Sequence, residues 1–319
     1  PTRCLYCSFT SYPIGVYKDK VDAYLDTMEK EMEYIAESYT EKKLASIYIG
    51  GGTPSSISAE QMDRLCSMIE KHFDLSQVRE YTIEAGRPDS TTADKLQVMK
   101  AHGVDRISIN PQTMNGETLK LIGRAHTPEQ AEEAFMRARE AGFDNINMDL
   151  IVGLPGEDAE MVKRTLEKVK KLAPESLTVH TLAIKRAAHL KQEMDKYSFA
   201  GDVDEQLSLV GQAAEELGLA PYYLYRQKNM AGNLENVGYA RHGLECLYNI
   251  LIMEERTDII GIGAGSSSKL IRREGDLDPV TGETVIGNRI DRVENCKSVD
   301  DYIARIDEMI DRKKQAFAK

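Results

Sequence analysis

Residues 1–9 read PTRCLYCSF, and the pair Cys4 and Cys7 within them governs how the rest of the chain is read. Taken alone, C-x-x-C can be a redox dithiol, half of a zinc site or part of an iron–sulfur site. No second C-x-x-C follows to complete a four-cysteine zinc site. A cysteine just ahead of Pro1 would complete C-x-x-x-C-x-x-C, so the expectation is a chain cut inside its own cluster motif. Cys66 falls on a helix pattern, Cys246 and Cys296 have no partner spacing, and all three read as structural. Tyr6 and Phe9 flank Cys7 and read as apolar shielding for such a site.

Outward from this loop, short β-rich runs alternate with longer amphipathic ones. Val21, Leu25, Met28, Met32 and Ile35 recur at spacings of three and four and predict a helix over 18–39. Residues 46–49 are β-rich and stop at Gly50-Gly51-Gly52-Thr53-Pro54. Ser58 with Gln61 three positions on is a capping box opening a helix over 58–73. A strand at 81–85, a helix at 91–101 closed by Gly103, a strand at 106–109 and a short helix at 115–122 follow. Thr127-Pro128 opens a helix that Gly142 stops. Next come a strand at 145–152, the turn Gly153-Leu154-Pro155-Gly156, a helix at 158–172 and a strand at 177–184.

This alternation predicts βαβ units on a parallel sheet, an α/β fold. One further strand is expected before the cysteine loop. In such folds functional residues sit at the carboxyl ends of strands. By spacing alone Gly52, Glu84, Gln112 and Asp149 fall at or just past such ends. The rhythm changes after about 187, and residues 187–319 read as a mixed α+β extension capping the barrel mouth. It carries an amphipathic run at 204–217, an aromatic one at 222–225, hairpin signals around Pro279 and Gly282, and a last helix over 299–310.

Composition narrows the class. The 319 residues suffice for a barrel core, 1–186, plus the extension. With 41% hydrophobic and 29% charged residues the chain reads as globular. No apolar run approaches the ~20 residues that a membrane span needs. Five cysteines, an odd number, do not suggest a secreted disulfide framework, and a reducing cytoplasm is expected. A net charge of −11 argues against a general nucleic-acid surface but leaves room for a local basic pocket. A monomer is expected.

Cys4 and Cys7, the GGGTP run, Glu84, Arg106-x-Ser108-Ile109-x-x-Gln112 and Asp149-Leu150-Ile151-x-Gly153-Leu154-Pro155-Gly156-Glu157 together resemble the radical S-adenosylmethionine (SAM) enzymes. Within them the chain is similar to the oxygen-independent coproporphyrinogen III oxidase family, HemZ-like branch. The resemblance is dense to about Ile184 and thinner beyond. It implies a partial (β/α)6 barrel, and a [4Fe–4S] cluster whose ligands include Cys4 and Cys7. It also implies SAM contacts from Gly51, Gly52, Thr53, Glu84, Gln112, Arg124, Asp149 and Ala183.

The implied reaction is oxidative decarboxylation of two propionates of coproporphyrinogen III to vinyls, fed by an electron donor protein or reductant. Alternatives on the same fold are a heme-binding chaperone and another radical SAM reaction on a tetrapyrrole. Small residues at 261–268 with Ala183 and Ile184 could floor a pocket or form a plain turn. Tyr222, Tyr223, Tyr225, Arg226, Lys228, Arg241 and Lys269 suit a flat macrocycle with carboxylate arms, or else a solvated face. The six histidines lack metal spacing, and His126 and His180 read as structural.

Overall fold

The computed structural model describes residues 4–7, 12–38, 43–182, 201–225, 236–278 and 281–317. After a short helix α1 (Ile14–Tyr17), α2 (Val21–Ser38) leads into β1 (Ser46–Ile49). There follow α3 (Ala59–His72), β2 (Glu80–Glu84), α4 (Ala93–Ala101), β3 (Arg106–Ser108), α5 (Gly116–Leu121) and α6 (Pro128–Glu140). Then come β4 (Ile146–Val152), α7 (Ala159–Leu172) and β5 (Ser176–Thr181). The helix starts follow the sequence: Ser58–Gln61 and Thr127–Gln130 both form reciprocal capping boxes.

β1 to β5 pair in parallel and in sequence order. The chain then crosses α8 (Val203–Glu216) and returns as a hairpin, β6 (Ala220–Tyr225) and β7 (Asn236–Ala240). β7 pairs antiparallel with β5, so the sheet runs β1-β2-β3-β4-β5-β7-β6 and curls into a half-barrel. The 186/187 boundary between core and extension lies outside the described residues.

Register sets the two faces of this sheet. Tyr48 pairs with Thr82, Thr82 with Arg106, Ser108 with Asn147, and Asn147 with Ser176. Paired residues share a face, so the concave side carries Tyr48, Glu80, Thr82, Glu84, Arg106, Ser108, Asn147, Asp149 and Thr178. The convex side carries Ile83, Ile107, Met148, Leu177 and Val179, packed with Leu65, Leu96, Phe135 and Leu166 of the helices into one apolar core. The interior of the half-barrel is therefore both polar and buried. Its groups are tied to one another: Thr178 Oγ1 donates to Asn147 Oδ1 at 3.0 Å and Arg106 Nη2 to Ser176 Oγ at 3.2 Å.

Helix α9 (Leu247–Glu254) packs against both edge strands, β1 and β6, and bridges the open side. Glu80 caps its amino end, accepting from Leu247 N and Tyr248 N. Tyr248 stacks on Tyr48 at 4.2 Å between ring centroids. A two-stranded sheet, β8 (Ser267–Arg272) and β9 (Arg289–Glu294), follows. The single helix expected over 299–310 is instead two, α10 (Val299–Ala304) and α11 (Ile306–Phe317). The break is at Arg305, whose backbone (φ −120°, ψ 26°) leaves the helical region.

Candidate cofactor site at the carboxyl ends of the strands

The cysteine loop lies over the ends of the parallel strands. Cys7 N donates to Cys4 O at 3.2 Å and closes a turn. Leu5 N donates to Ile122 O at 2.9 Å, and Arg124 Nη2 donates to Tyr6 Oη at 3.0 Å. These bonds fasten the loop to the turn after α5 and bring Arg124 beneath it. Burial pushes the Tyr6 hydroxyl up to about 12 despite the neighbouring Arg124 cation, so it stays protonated. Cys4 is buried and Cys7 half-buried.

The glycine run after β1 sits on the half-buried carboxylate of Glu84. Tyr48 donates its hydroxyl to Glu84 Oε1. Burial pushes the Glu84 carboxyl up to about 7, with Tyr48 and the Gly51 backbone pulling it down and Asp149 pushing it up. A Cβ on Gly50 would lie 2.5 Å from Tyr48 Cε1 and 3.0 Å from Glu84 Oε1. Gly50 is thus required by the closeness of its own loop to Glu84. Gly51, at φ +114°, and Gly52 are exposed, and Thr53 is half-buried.

Gln112 holds a left-handed backbone (φ +68°) that few side-chain-bearing residues adopt. Two bonds to β4 fix it: Gln112 N to Asp149 O and Ile151 N to Gln112 O, both at 2.9 Å. The following loop is held by buried Glu157, which accepts from Thr113 Oγ1 at 2.6 Å and Asn115 Nδ2 at 2.9 Å. Asp149 accepts from Asn147 Nδ2 at 2.7 Å and lies 3.8 Å from His180 Nε2.

Several buried polar atoms here reach no hydrogen-bond partner among the described residues: Asn110 Oδ1, Gln112 Oε1 and Arg124 Nε. His126 is likewise buried, with neither ring nitrogen well paired and only a weak bond to the Pro111 backbone. Burial and the Arg124 and Arg87 cations push its pKa down to about 4. Native proteins rarely leave such groups unsatisfied, so this cluster has the character of a polar binding site. Acceptors on Glu84, Asp149, Gln112 and Asn110 suit an ammonium and hydroxyls, and the Arg124 fork suits a carboxylate. That donor set fits SAM, and the Cys4–Cys7 turn fits two thiolate ligands of a cluster. Among the described residues no group of three His, Cys, Asp or Glu side chains is arranged to hold a metal ion.

Of the residues expected at strand ends, Glu84 ends β2 and Gln112 lies past β3, whereas Asp149 is the fourth of seven residues in β4; Glu84 and Gln112 both meet Asp149. Ala183, Ile184, Phe9, Arg226 and Lys228 lie outside the described residues. The 261–268 run is used otherwise: Gly263 N donates to Glu31 and Ala264 N to Tyr24 Oη, both at 2.9 Å, docking the turn on α2. Tyr222 and Tyr223 pack 5.0 Å apart on the hairpin, and Lys269 lies 3.5 Å from Glu255. Sequence reasoning passed over Tyr48, Arg87, Asn110 and the placement of His126. Only the position of Asn110, just past a strand end, could have signalled its role.

Comparison with known proteins agrees with this geometry. The family model of the radical SAM superfamily matches residues 1–169. The oxygen-independent coproporphyrinogen-III oxidase-like protein HemZ of Bacillus subtilis is 49% identical over 86% of this chain and 56% of its own length. Heme chaperone HemW of Lactococcus lactis is 33% identical over 87% of this chain and 69% of its own. The solved structure of coproporphyrinogen III oxidase (HemN) from Escherichia coli superposes with a TM-score of 0.73 at 22% identity, covering 97% of this chain and 67% of that one. The chain thus spans about half the length of the HemZ relative.

Proposed function

Because the chain belongs to the radical SAM superfamily, whose members work with a [4Fe–4S] cluster and SAM, we propose that it acts on a tetrapyrrole, converting two propionates of coproporphyrinogen III to vinyl groups without oxygen. The observation that carries this reading is the 49% identity to a coproporphyrinogen-III oxidase-like protein across 86% of the chain. The convergence of Cys4, Glu84, Gln112, Arg124 and Asp149 at one end of the half-barrel supports it.

When bound, the cofactors supply a one-electron cleavage of SAM and a hydrogen abstraction. The residues of this chain do the remainder. Cys4 and Cys7 hold the cluster. Arg124, pinned by Tyr6, offers its fork to the SAM carboxylate. Glu84 and Asp149 would accept from the ammonium and hydroxyls, and Gln112, fixed by two backbone bonds to β4, adds a buried amide oxygen without a partner among the described residues. Gly51 and Gly52 let backbone approach the ligand. The buried concave face excludes water from the reacting group. Each propionate loses one hydrogen atom, carbon dioxide and one electron to leave a vinyl, and the electron passes to a one-electron acceptor.

A heme chaperone is the second reading, favoured by the 33% identity to HemW over 69% of that protein. The test reconstitutes the full-length protein without oxygen and supplies SAM, reductant and coproporphyrinogen III. Stepwise loss of two carboxyl groups in the porphyrin mass spectrum is the expected result. Unchanged porphyrin together with stoichiometric heme binding would overturn the oxidase reading in favour of the chaperone. No helix among the described residues is long and apolar enough to cross a membrane. We place the protein in the cytoplasm as part of the same proposal, and a membrane-bound pool on cell fractionation would refute that placement.

A further inference from the structure

The loop after β2 carries an arginine that no motif accounts for. Arg87 is 4% exposed. Its carbonyl is pinned by Ser90 N at 2.9 Å, Ser90 Oγ at 3.0 Å and Thr91 Oγ1 at 2.9 Å. Its guanidinium is held by Asp89, with Nε to Oδ1 at 3.0 Å and Nη2 to Oδ2 at 3.2 Å. That bidentate grip fixes the plane of the fork and directs Nη1 at Cys4 Sγ, 3.8 Å away. The preceding residue is a glycine in tight surroundings, since a Cβ on Gly86 would lie 3.0 Å from Asn110 Nδ2. A buried, doubly braced guanidinium that reaches the Cys4 sulfur is costly to build for packing alone.

We infer that Arg87, held by Asp89, is a positioning residue that donates a charged hydrogen bond to the Cys4 sulfur and thereby raises the reduction potential of the cluster that Cys4 ligates. The inference rests on Cys4 being a cluster ligand. Reduction adds negative charge to the cluster and its thiolates. A donor aimed at a ligating sulfur stabilises the reduced state more than the oxidised one, so its loss lowers the potential. Lys would not substitute fully, because its ammonium has no planar fork for Asp89 to orient.

The test is an EPR-monitored redox titration of the anaerobically reconstituted full-length protein, as wild type, Arg87→Gln and Arg87→Lys. The expected result for Arg87→Gln is a midpoint shifted negative by roughly tenfold in the reduction equilibrium, about 59 mV for a one-electron couple. Arg87→Lys should lie between the two. An Arg87→Gln protein with a full cluster and an unshifted midpoint would overturn the inference. Should Arg87→Gln fail to hold a cluster, Arg87→Lys decides alone: a negative shift supports the inference and a wild-type midpoint overturns it. Cys4→Ala separates the premise from the inference. A Cys4→Ala protein that keeps its full iron content and EPR signal refutes Cys4 as a ligand, whatever Arg87 does.

Discussion

Replacing Lys313 with Met tests how the carboxyl-terminal part is held to the first helix of the barrel. Lys313 and Glu31 are 282 residues apart in sequence, yet Nζ lies 2.6 Å from Oε1. Both side chains have zero exposure. Glu31 also accepts from Gly263 N at 2.9 Å, from Asn295 Nδ2 at 2.8 Å and from the Tyr302 hydroxyl. Lys313 donates a second bond to Asn295 Oδ1 at 2.8 Å. One carboxylate thus gathers α2, the Gly263 turn, Asn295 just past β9, α10 and α11. Met fills nearly the same volume, so little cavity forms. What remains is a buried anion without its counter-charge, a loss of about 3–5 kcal/mol. That is a large part of the roughly 5–15 kcal/mol that holds a typical protein folded.

At about 2 °C per kcal/mol, Tm should fall by about 6–10 °C. With no tryptophan in the sequence, far-UV circular dichroism in a urea titration is the suitable probe. Adding Glu31→Gln to Lys313→Met should restore about 2 kcal/mol, because the amide oxygen can still accept from Gly263 N and the Tyr302 hydroxyl and no charge is left buried. A Lys313→Met loss under about 1 kcal/mol, the range of an exposed pair, would refute the reasoning. So would a double variant less stable than the single one.

Gly50→Ala should weaken SAM binding at least tenfold, since its Cβ would displace Tyr48 or Glu84; equilibrium dialysis giving wild-type affinity would count against the site. SAM affinity should rise with pH through about 7 and level off above, because the Glu84 carboxyl must lose its proton to attract a cation. In Glu84→Gln that rise should vanish. His102 bridges Asp63 at 3.0 Å and Glu70 at 2.8 Å, and although burial opposes its charge the two carboxylates win and raise its pKa. Its stabilisation, below about 1 kcal/mol, is fully present below the unfolded pKa near 6.5 and lost as pH rises through the higher folded value. The stability gap between wild type and His102→Gln should therefore be larger at pH 6 than at pH 9, and a pH-independent gap would refute this.

The sequence by itself determined what is local. Val21, Leu25, Met32 and Ile35 at helical spacing are all buried in α2. Ser58 and Thr127 cap the helices they were expected to cap. The βαβ rhythm determined the parallel order β1 to β5, and strand-end position picked out Glu84 and Gln112, while Asp149, expected at an end, lies in the middle of β4; side-chain period and capping chemistry are properties of neighbouring residues. Only the tertiary structure decided the rest. The return of β6 and β7 onto β5 depends on sheet pairing across a long connection. The helix break at Arg305 follows from docking α10 and α11 separately against α2. Tyr48 on Glu84, Arg87 beneath Cys4 and Lys313 on Glu31 join residues 36, 83 and 282 positions apart. No local pattern records such contacts, because they arise where the curl of the sheet and the docking of the last helices bring distant surfaces together. Burial then makes those few charged groups matter far more than their exposed neighbours.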